Sequence, residues 1–217
     1  METIAVIPAY NEEAHIAAVV KGAQQFVQKV IVVDDGSHDS TRARAAAAGA
    51  TVLRHVVNMG KGVALKTGFA AAAALGADVL VVLDGDGQHD VKDIPRFLTA
   101  LQHADIVIGA RQLNMAMPVV FKMGNFFLQK AFCILFNASI SDTQSGYRAF
   151  RRGIYEQLTW QSHGYSVETE MLVDARKKGF TCVEIPIKTV YLNAVKGTTI
   201  IDGMLIFIDM LLWKMRG

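Results

Sequence analysis

Short, continuous runs of apolar residues alternate with helical patterns through the first half of the chain. The runs are rich in β-branched residues and lie at residues 3–9, 29–35, 51–56, 78–84 and 105–110. Runs without polar alternation predict strands buried on both faces, as in a parallel sheet. Helical patterns occupy the intervals at residues 11–27, 39–49, 61–76 and 91–102. Repeated β-α-β units of this kind predict an α/β fold, with a Rossmann-like, mostly parallel sheet flanked by helices.

The regular alternation of strand and helix patterns ends after residue 110. Here the sequence predicts a long hydrophobic helix, a short strand, an amphipathic helix, a further strand and a hydrophobic terminal helix, at residues 117–140, 145–150, 165–180, 181–192 and 198–217. No linker, repeat or low-complexity run interrupts the chain. We therefore expect a single domain over residues 1–217 whose second half is more irregular than its first.

Composition narrows the function classes. With 22 basic and 20 acidic residues the net charge is +2, which lacks the basic excess typical of nucleic-acid binders, so no nucleic-acid partner is expected. Cys133 and Cys182 lie far apart in apolar surroundings, as expected of reduced core thiols in a cytosolic protein. The N-terminus has no basic leader, and no apolar stretch reaches the roughly 18 residues of a membrane span.

Polar residues gather where the predicted strands end. The strand ends read "PAYNEE", "DDGSHDST", "DGDGQHD" and "GAR". An acid after one strand is often only the N-cap of the next helix, and Asp39 or Ser40 fits that role. Four polar strand ends on one edge instead indicate a functional cleft, because ligands of open α/β sheets bind beyond the carboxyl ends of the strands.

The "DGDGQHD" segment has the chemistry of a divalent-metal site. Asp84 and Asp86 are separated by one glycine, and Gln88 offers an amide oxygen at the next alternate position. Such oxygen ligands suit Mg²⁺ or Mn²⁺, which substrate phosphates usually complete. A calcium EF-hand loop is excluded, because His89 stands where that loop needs glycine and Pro95 where it needs glutamate.

The glycine-rich stretch "NMGKGVALKTG" at residues 58–68 opens a predicted helix. It matches neither a P-loop nor a dinucleotide-binding fingerprint. Two interpretations remain: a tight turn that starts a helix, or a segment whose backbone N–H groups and Lys61 approach a bound donor.

Taken together, the motifs resemble glycosyltransferase family 2, and within it the dolichyl-phosphate mannose synthase and polyprenyl-phosphate glycosyltransferase group. The matching pieces occur in the family's order and are "PAYNE", "VVDDGSHDST", "NMGKGVALKTG", "DGDGQHD", "GAR" and "DTQSGYRAF". The resemblance implies a GT-A fold, a nucleotide-diphosphate sugar donor and bound Mg²⁺ or Mn²⁺. It implies a nucleotide-sugar-binding half at residues 1–112, an acceptor-side half at 113–197 and a hydrophobic C-terminal helix at 198–217.

The resemblance also assigns roles on the donor side. The base and ribose would be lined and held by Pro8, Tyr10, Glu12, Asp34 and Asp35, with Lys61 alongside. Asp84 would face the ribose and sugar, and Asp86 with Gln88 would ligate the metal. His89 would support these residues rather than bind the metal.

On the acceptor side, Arg111 and Arg148 would face phosphate oxygens, which suit guanidinium groups. Asp142, Ser145 and Lys196 complete the implied set. A polyprenyl phosphate is already ionised and mainly needs positioning. A sugar hydroxyl, which is the alternative acceptor in family 2, needs a general base, and Asp142 is the first candidate for it.

A sugar nucleotidyltransferase and a non-catalytic binding module are the remaining alternative functions. The first would carry a basic, glycine-rich loop after strand one, which "PAYNEEAHI" lacks.

The two hydrophobic segments, 117–140 and 198–217, leave alternatives open. The first places Lys122, Asn125 and Gln129 on one helical face among phenylalanines. Either segment could be a core helix or lie in a membrane surface, and the terminal one could also pack on a second subunit. We expect a peripheral enzyme at the cytoplasmic face of a membrane, with an anchoring partner or a homo-oligomer as further possibilities.

Overall fold

The computed structural model describes residues 1–111, 119–188 and 200–215. Within them, seven strands form one sheet in the order β3-β2-β1-β4-β6-β5-β7. The strands are β1 Thr3–Ala9, β2 Lys29–Asp34, β3 Thr51–Arg54, β4 Val79–Val82, β5 Ile106–Arg111, β6 Arg148–Arg151 and β7 Cys182–Ile187. All neighbours pair in parallel except β6, which runs antiparallel to both β4 and β5. The predicted α/β class is thereby confirmed.

Helices cover both faces of this sheet. They are α1 Ile16–Ala23, α2 Thr41–Ala47, α3 Lys61–Ala74, α4 Ile94–Ala100, α5 Val119–Phe136, α6 Arg152–Tyr155, α7 Val167–Lys177 and α8 Ile200–Met215, with a 3₁₀ turn at Val91–Asp93. None of these described helices is long and apolar enough to cross a membrane.

The continuous apolar strands are buried on both sides, as their sequences predict. Along β1, Ile4 and Val6 belong to one core layer with α3, α5, α7 and α8, while Ala5 and Ile7 belong to the other with α1 and α4. Every residue of β1 is buried. At about 25 cal/mol per Å² of apolar surface removed from water, this double-sided burial is the main stabilising contribution to the fold.

Helix α1 begins later than its apolar pattern predicts. Asn11 has a positive φ of 53°, and its backbone N–H donates to the Ser37 hydroxyl. The next two N–H groups donate to Thr41 and Asp39. The first three residues of the predicted helix are therefore held against the loop after β2 and the start of α2, and the helix starts at Ile16.

Strand β6 separates β4 from β5 in the second half of the sheet. The sequence predicts a short strand at 145–150, but not its position between β4 and β5. Arg148 pairs with Val82 on one side and with Ile108 on the other. The loop that precedes β6 therefore emerges beside the "DGDGQHD" loop that follows β4.

Candidate active site

The acidic segments meet at one edge of the sheet. Strand β1 lies between β2 and β4, so the strand order reverses at the β1–β4 boundary. Ligands of open α/β sheets bind in the crevice that this reversal opens at the carboxyl ends. "PAYNE" follows β1 and "DGDGQHD" follows β4, which places both segments at that crevice.

Lys61 is held between two carboxylates at this edge. Its Nζ lies 2.6 Å from Asp84 Oδ1 and 2.6 Å from Glu168 Oε1. Lys61 is the first residue of α3 and Glu168 lies in the first turn of α7, so the ion pairs join two helices to the end of β4. Burial disfavours the ammonium, but the two carboxylates outweigh it and raise the pKa of Lys61. The lysine is therefore a permanent positive charge in the crevice.

Gly146 lies directly against this ion pair. A Cβ at this position would lie 2.7 Å from Asp84 Oδ2 and 2.8 Å from Lys61 Nζ. Real Cβ atoms do not approach polar atoms so closely, so any side chain here would push the pair apart. The glycine of "DTQSGYRAF" thus lets Asp84 and Lys61 keep their contact.

Asp86 and Gln88 are joined in a tight turn after β4. Asp86 Oδ1 accepts the Gln88 backbone N–H at 2.9 Å. Burial, and next the negative charge of Asp84, raise the pKa of Asp86, with a smaller contribution from Glu12. The site therefore concentrates negative charge around Asp86.

These residues fit a Mg²⁺ or Mn²⁺ ion. Crowded carboxylates with a raised pKa are stabilised by a nearby cation, and carboxylate and amide oxygens are ligands that both ions accept. Among the residues that the structure describes, no group of three or more His, Cys, Asp or Glu side chains could hold a metal alone. A site with one or two protein carboxylates is the usual arrangement for Mg²⁺, which takes its other ligands from water and substrate phosphates.

Arg111 and Asp142 form a two-point ion pair near the acidic cluster. The guanidinium donates from Nε to Oδ2 at 2.7 Å and from a terminal nitrogen to Oδ1 at 2.9 Å. Burial acts to raise the pKa of Asp142, but Arg111 outweighs it, and the net pKa lies below the ordinary value. The Asp142 backbone N–H donates in turn to Glu184 on β7. Both groups consequently have fixed positions.

His89 supports the acidic loop from behind. Its Nδ1 accepts the backbone N–H of Asp84 at 3.3 Å, and its ring stacks on Tyr147 with 5.1 Å between centroids. Burial lowers the pKa of His89 despite the nearby Asp84 and Asp86, so the ring is neutral near pH 7. A neutral imidazole with one nitrogen occupied by the backbone matches a supporting role.

Asp34 and Asp35 have partners within the protein. Asp34 is wholly buried, and its carboxylate accepts the Ser37 N–H and lies 3.4 Å from Arg54. Asp35 accepts from His55 and from the N–H groups of Met59 and Gly60. These carboxylates are used to hold the loops after β2 and β3. That they also bind the nucleoside stays a prediction, and the buried Oδ2 of Asp34 has no hydrogen-bond partner among the described residues.

Arg148 and Ser145 also have internal roles. Arg148 is 2% exposed, and its guanidinium donates to the carbonyls of Ser145, Glu168 and Thr143. Ser145 is buried, and its hydroxyl accepts the Tyr147 N–H. In this structure the donors of Arg148 bind backbone carbonyls beneath the site, and its contact with phosphate oxygens stays a prediction.

The remaining predicted site residues differ in how far their side chains are exposed to solvent. Pro8 is buried in β1, Glu12 is half-buried, and the Tyr10 side chain is exposed at the crevice. Lys196 lies outside the described residues.

Glu168 was missed by sequence reasoning. The segment "VETEM" carries two glutamates, and only the fold shows that Glu168 reaches Lys61. Glu170 instead accepts hydrogen bonds from the backbone N–H groups of Gln161 and Ser162.

Comparison with known proteins agrees with the family suggested by the motifs. The family profile "Glycosyl transferase family 2" matches residues 4–159. A UDP-N-acetylglucosamine–dolichyl-phosphate N-acetylglucosaminyltransferase of Methanococcus voltae is 33% identical over 97% of this chain and 95% of its own. An undecaprenyl-phosphate mannosyltransferase of Micrococcus luteus is 31% identical over 86% of this chain and 83% of its own.

Solved structures show the same fold. Glucosyl-3-phosphoglycerate synthase from Mycobacterium tuberculosis, crystallised with Mn²⁺, UDP and phosphoglyceric acid, superposes with a TM-score of 0.79. The match covers 98% of this chain and 78% of that chain at 23% identity. Together with the family match, this likeness confirms the predicted GT-A fold.

Proposed function

The chain belongs to glycosyltransferase family 2, and on that premise we propose that it moves a hexose, with inversion, from a nucleotide-diphosphate sugar to a polyprenyl phosphate at a membrane surface. The donor would be of the GDP-mannose or UDP-glucose type. The observation that carries the proposal is the meeting of Asp84, Asp86 and Lys61 at the strand-reversal crevice. Support also comes from relatives whose names include dolichyl-phosphate and undecaprenyl-phosphate transferases.

On the donor side, each group has a distinct task. Asp86 and Gln88 would hold Mg²⁺ or Mn²⁺, which when bound offsets the negative charge of the departing diphosphate. Asp84, fixed by Lys61, would accept hydrogen bonds from ribose or sugar hydroxyls. Tyr10 offers an exposed ring beside the crevice for the base, and Glu12 stands near Asp86 on the same edge.

On the acceptor side, the geometry favours an ionised acceptor. A phosphate needs no general base and is helped mainly by positioning and by relief of charge repulsion. Arg111 supplies a positive charge whose orientation is fixed by Asp142. Asp142 makes a poor base for a sugar hydroxyl, because both of its oxygens bind Arg111 and its pKa is lowered.

An apolar surface suited to a lipid follows the site in the chain. On α5, the exposed Met123, Phe126, Phe127, Lys130 and Ile134 recur at helical spacing along one stripe. Helix α8 exposes a second stripe, formed by Ile201, Met204, Leu205, Ile208, Leu211, Leu212 and Met215. We name these two stripes the apolar platform. The rings of Phe127 and Phe207, 5.0 Å apart, join the helices.

The platform has the features of a helix pair lying in a membrane interface. Lys130 Nζ sits 5.5 Å from the Phe126 ring centroid, so that its stem crosses apolar surface. Further basic residues lie at the ends of these helices: Arg176 donates to the Asn137 carbonyl after α5, Lys177 to the Trp213 carbonyl on α8, and Lys214 belongs to α8 itself. Basic residues beside apolar stripes are typical of helices that bind anionic lipid surfaces, and they support placement at the cytoplasmic face of a membrane.

A transfer assay tests the proposed function. Purified protein and Mn²⁺ are incubated with GDP-mannose, UDP-glucose or UDP-N-acetylglucosamine, and with either a polyprenyl phosphate or soluble sugars. We expect one donor to yield a polyprenyl-phosphate sugar of inverted anomeric configuration. Transfer only to sugar hydroxyls would establish the alternative acceptor class, and no transfer with any pair would refute the proposal. A thermal-shift panel of the same donors identifies the one that binds, since a ligand stabilises the folded state by mass action.

A further inference from the structure

One ammonium group serves two carboxylates in the donor crevice. Lys61 Nζ lies equally close, at 2.6 Å, to Asp84 and to Glu168. With one positive and two negative charges, the trio retains a net charge of −1. Neither carboxylate can therefore be fully neutralised by Lys61 while the other remains in contact.

Glu168 is the more deeply buried of the two acids. It is 4% exposed, against a half-buried Asp84. Its Oε2 atom is buried and finds no hydrogen-bond partner among the residues of the structure. A buried carboxylate oxygen left in this condition is costly, so Glu168 depends strongly on Lys61.

The backbone of Glu168 is also fixed from below. Its carbonyl accepts a hydrogen bond from Arg148 at 2.7 Å, and Arg148 belongs to the central strand β6. The Glu168 carboxylate is therefore a stationary anchor for the lysine. Asp84, in the turn after β4, is the partner on the crevice side.

We infer that Glu168 is a positioning residue for the donor: it shares the Lys61 ammonium with Asp84 and retains it when the Asp84 carboxylate turns to donor hydroxyls. Without Glu168, Lys61 would close on Asp84 as a neutral pair, and the donor would have to break that pair to bind. This inference rests on the proposed function, because it concerns the same crevice. It adds a residue that the family motifs did not identify.

A double-mutant cycle on donor affinity tests the inference. The dissociation constant is measured by calorimetry, in the presence of Mn²⁺, for whichever of GDP-mannose, UDP-glucose and UDP-N-acetylglucosamine the wild-type protein binds. Glu168→Gln is expected to weaken binding about tenfold in the wild-type background and less than about twofold when Lys61 is Met. Glu168→Asp, which withdraws the carboxylate by one methylene group, provides the same comparison should the Gln variant not fold.

A merely structural role predicts a different result. If Glu168 only ties α7 to α3, its loss lowers the melting temperature while the folded protein binds donor as the wild type does, and that outcome overturns the inference. Losses that multiply independently in the double variant also overturn it. Glu156→Gln is the matched control, because it removes one negative charge from an exposed pair with Arg152 away from the crevice. Failure of the wild type to bind any of the three donors would instead count against the proposed function.

Discussion

Arg111 and Asp142 are joined by three hydrogen bonds, since the Arg111 backbone N–H also donates to the carboxylate that its guanidinium holds, at 3.1 Å. Asp142 is in turn bound through its own N–H to Glu184. The end of β5, the "DTQSG" loop and β7 thus form one connected unit. Any acceptor phosphate near Arg111 would meet a charge that this unit has already oriented.

Asp142→Asn should lower stability in a pH-dependent way. The folded-state pKa of Asp142 lies below its unfolded value, so the ion pair stabilises the fold above about pH 4 and its contribution is lost as the pH falls through the lower, folded value. We expect the variant to lose about 3 kcal/mol in free energy of unfolding near pH 7. Urea titrations of both proteins should show this gap shrinking in acid, and a gap that widens would contradict the assignment.

The parallel half of the fold was predictable because its signals are local. Each apolar run of β1, β2 and β4 is buried on both faces and needs no distant partner to be recognised as a strand. Strand β6 is different: "RAFR" has four residues, and its place between β4 and β5 is fixed by pairing with segments far away in the chain. The order of the sheet could not follow from the pattern alone.

The candidate site was predictable to a similar extent. The segment "DGDGQHD" can be recognised as a candidate metal site from its residue types and from its position after a buried strand. The role of Arg148 cannot be recognised in this way, because an arginine that binds buried carbonyls and one that binds phosphate look alike in "GYRAF". Asp34 and Asp35 show the same ambiguity, because acids at a strand end satisfy loop N–H groups as readily as they bind ligands.

Asp86→Asn should raise the melting temperature of the protein and at the same time lower its sugar-transfer activity. The raised pKa of Asp86 means that its ionised form costs the fold stability above the ordinary pKa, and that this cost disappears in acid. The amide removes it, so the metal-free variant should melt at a higher temperature than the wild type near pH 7. Sugar transfer should fall at least about 100-fold, because the charge on the leaving diphosphate is no longer offset. Undiminished metal-dependent turnover would rule out Asp86 as a ligand.

Gly146→Ala should damage donor binding more than stability. The added methyl group would lie under 3 Å from both Asp84 and Lys61, so it would displace the Asp84 carboxylate from the position at which that group would meet donor hydroxyls. We expect at least about tenfold weaker donor binding, measured by calorimetry with Mn²⁺. Gly153→Ala is the control, since a Cβ there meets no atom within 4 Å and should leave affinity unchanged. Equal affinities of the two variants would show that the Asp84–Lys61 pair tolerates displacement.

Ile134→Glu should weaken membrane binding. Ile134 is 80% exposed on the α5 stripe, so a charge there does not disturb the core but disfavours insertion among lipid tails. Flotation with vesicles that contain anionic lipid should recover less of the variant than of the wild type. Val56→Glu controls for charge alone, because Val56 is 96% exposed in the loop after β3, off the platform. A wild-type protein that remains with the soluble fraction would contradict lipid binding by the platform.

Arg148→Met should destabilise the fold rather than selectively impair donor or acceptor binding. The change leaves three buried carbonyls, those of Ser145, Glu168 and Thr143, without the guanidinium that they share. We expect a loss of about 3 kcal/mol or more in free energy of unfolding, measured in urea, because each unsatisfied group keeps its desolvation cost.

The matched control is Arg152→Met, whose guanidinium pairs at the surface with Glu156 one helical turn away and whose loss should change stability little. The folded fraction of the Arg148 variant should lose no more donor affinity than Glu168→Gln, since Arg148 lies beneath the crevice and can act on the donor only through Glu168. A variant of unchanged stability with a raised KM for the acceptor would restore the phosphate-binding role that the sequence predicted for Arg148. The two readouts together decide whether this arginine acts on the substrate or on the scaffold that positions Glu168 and Lys61.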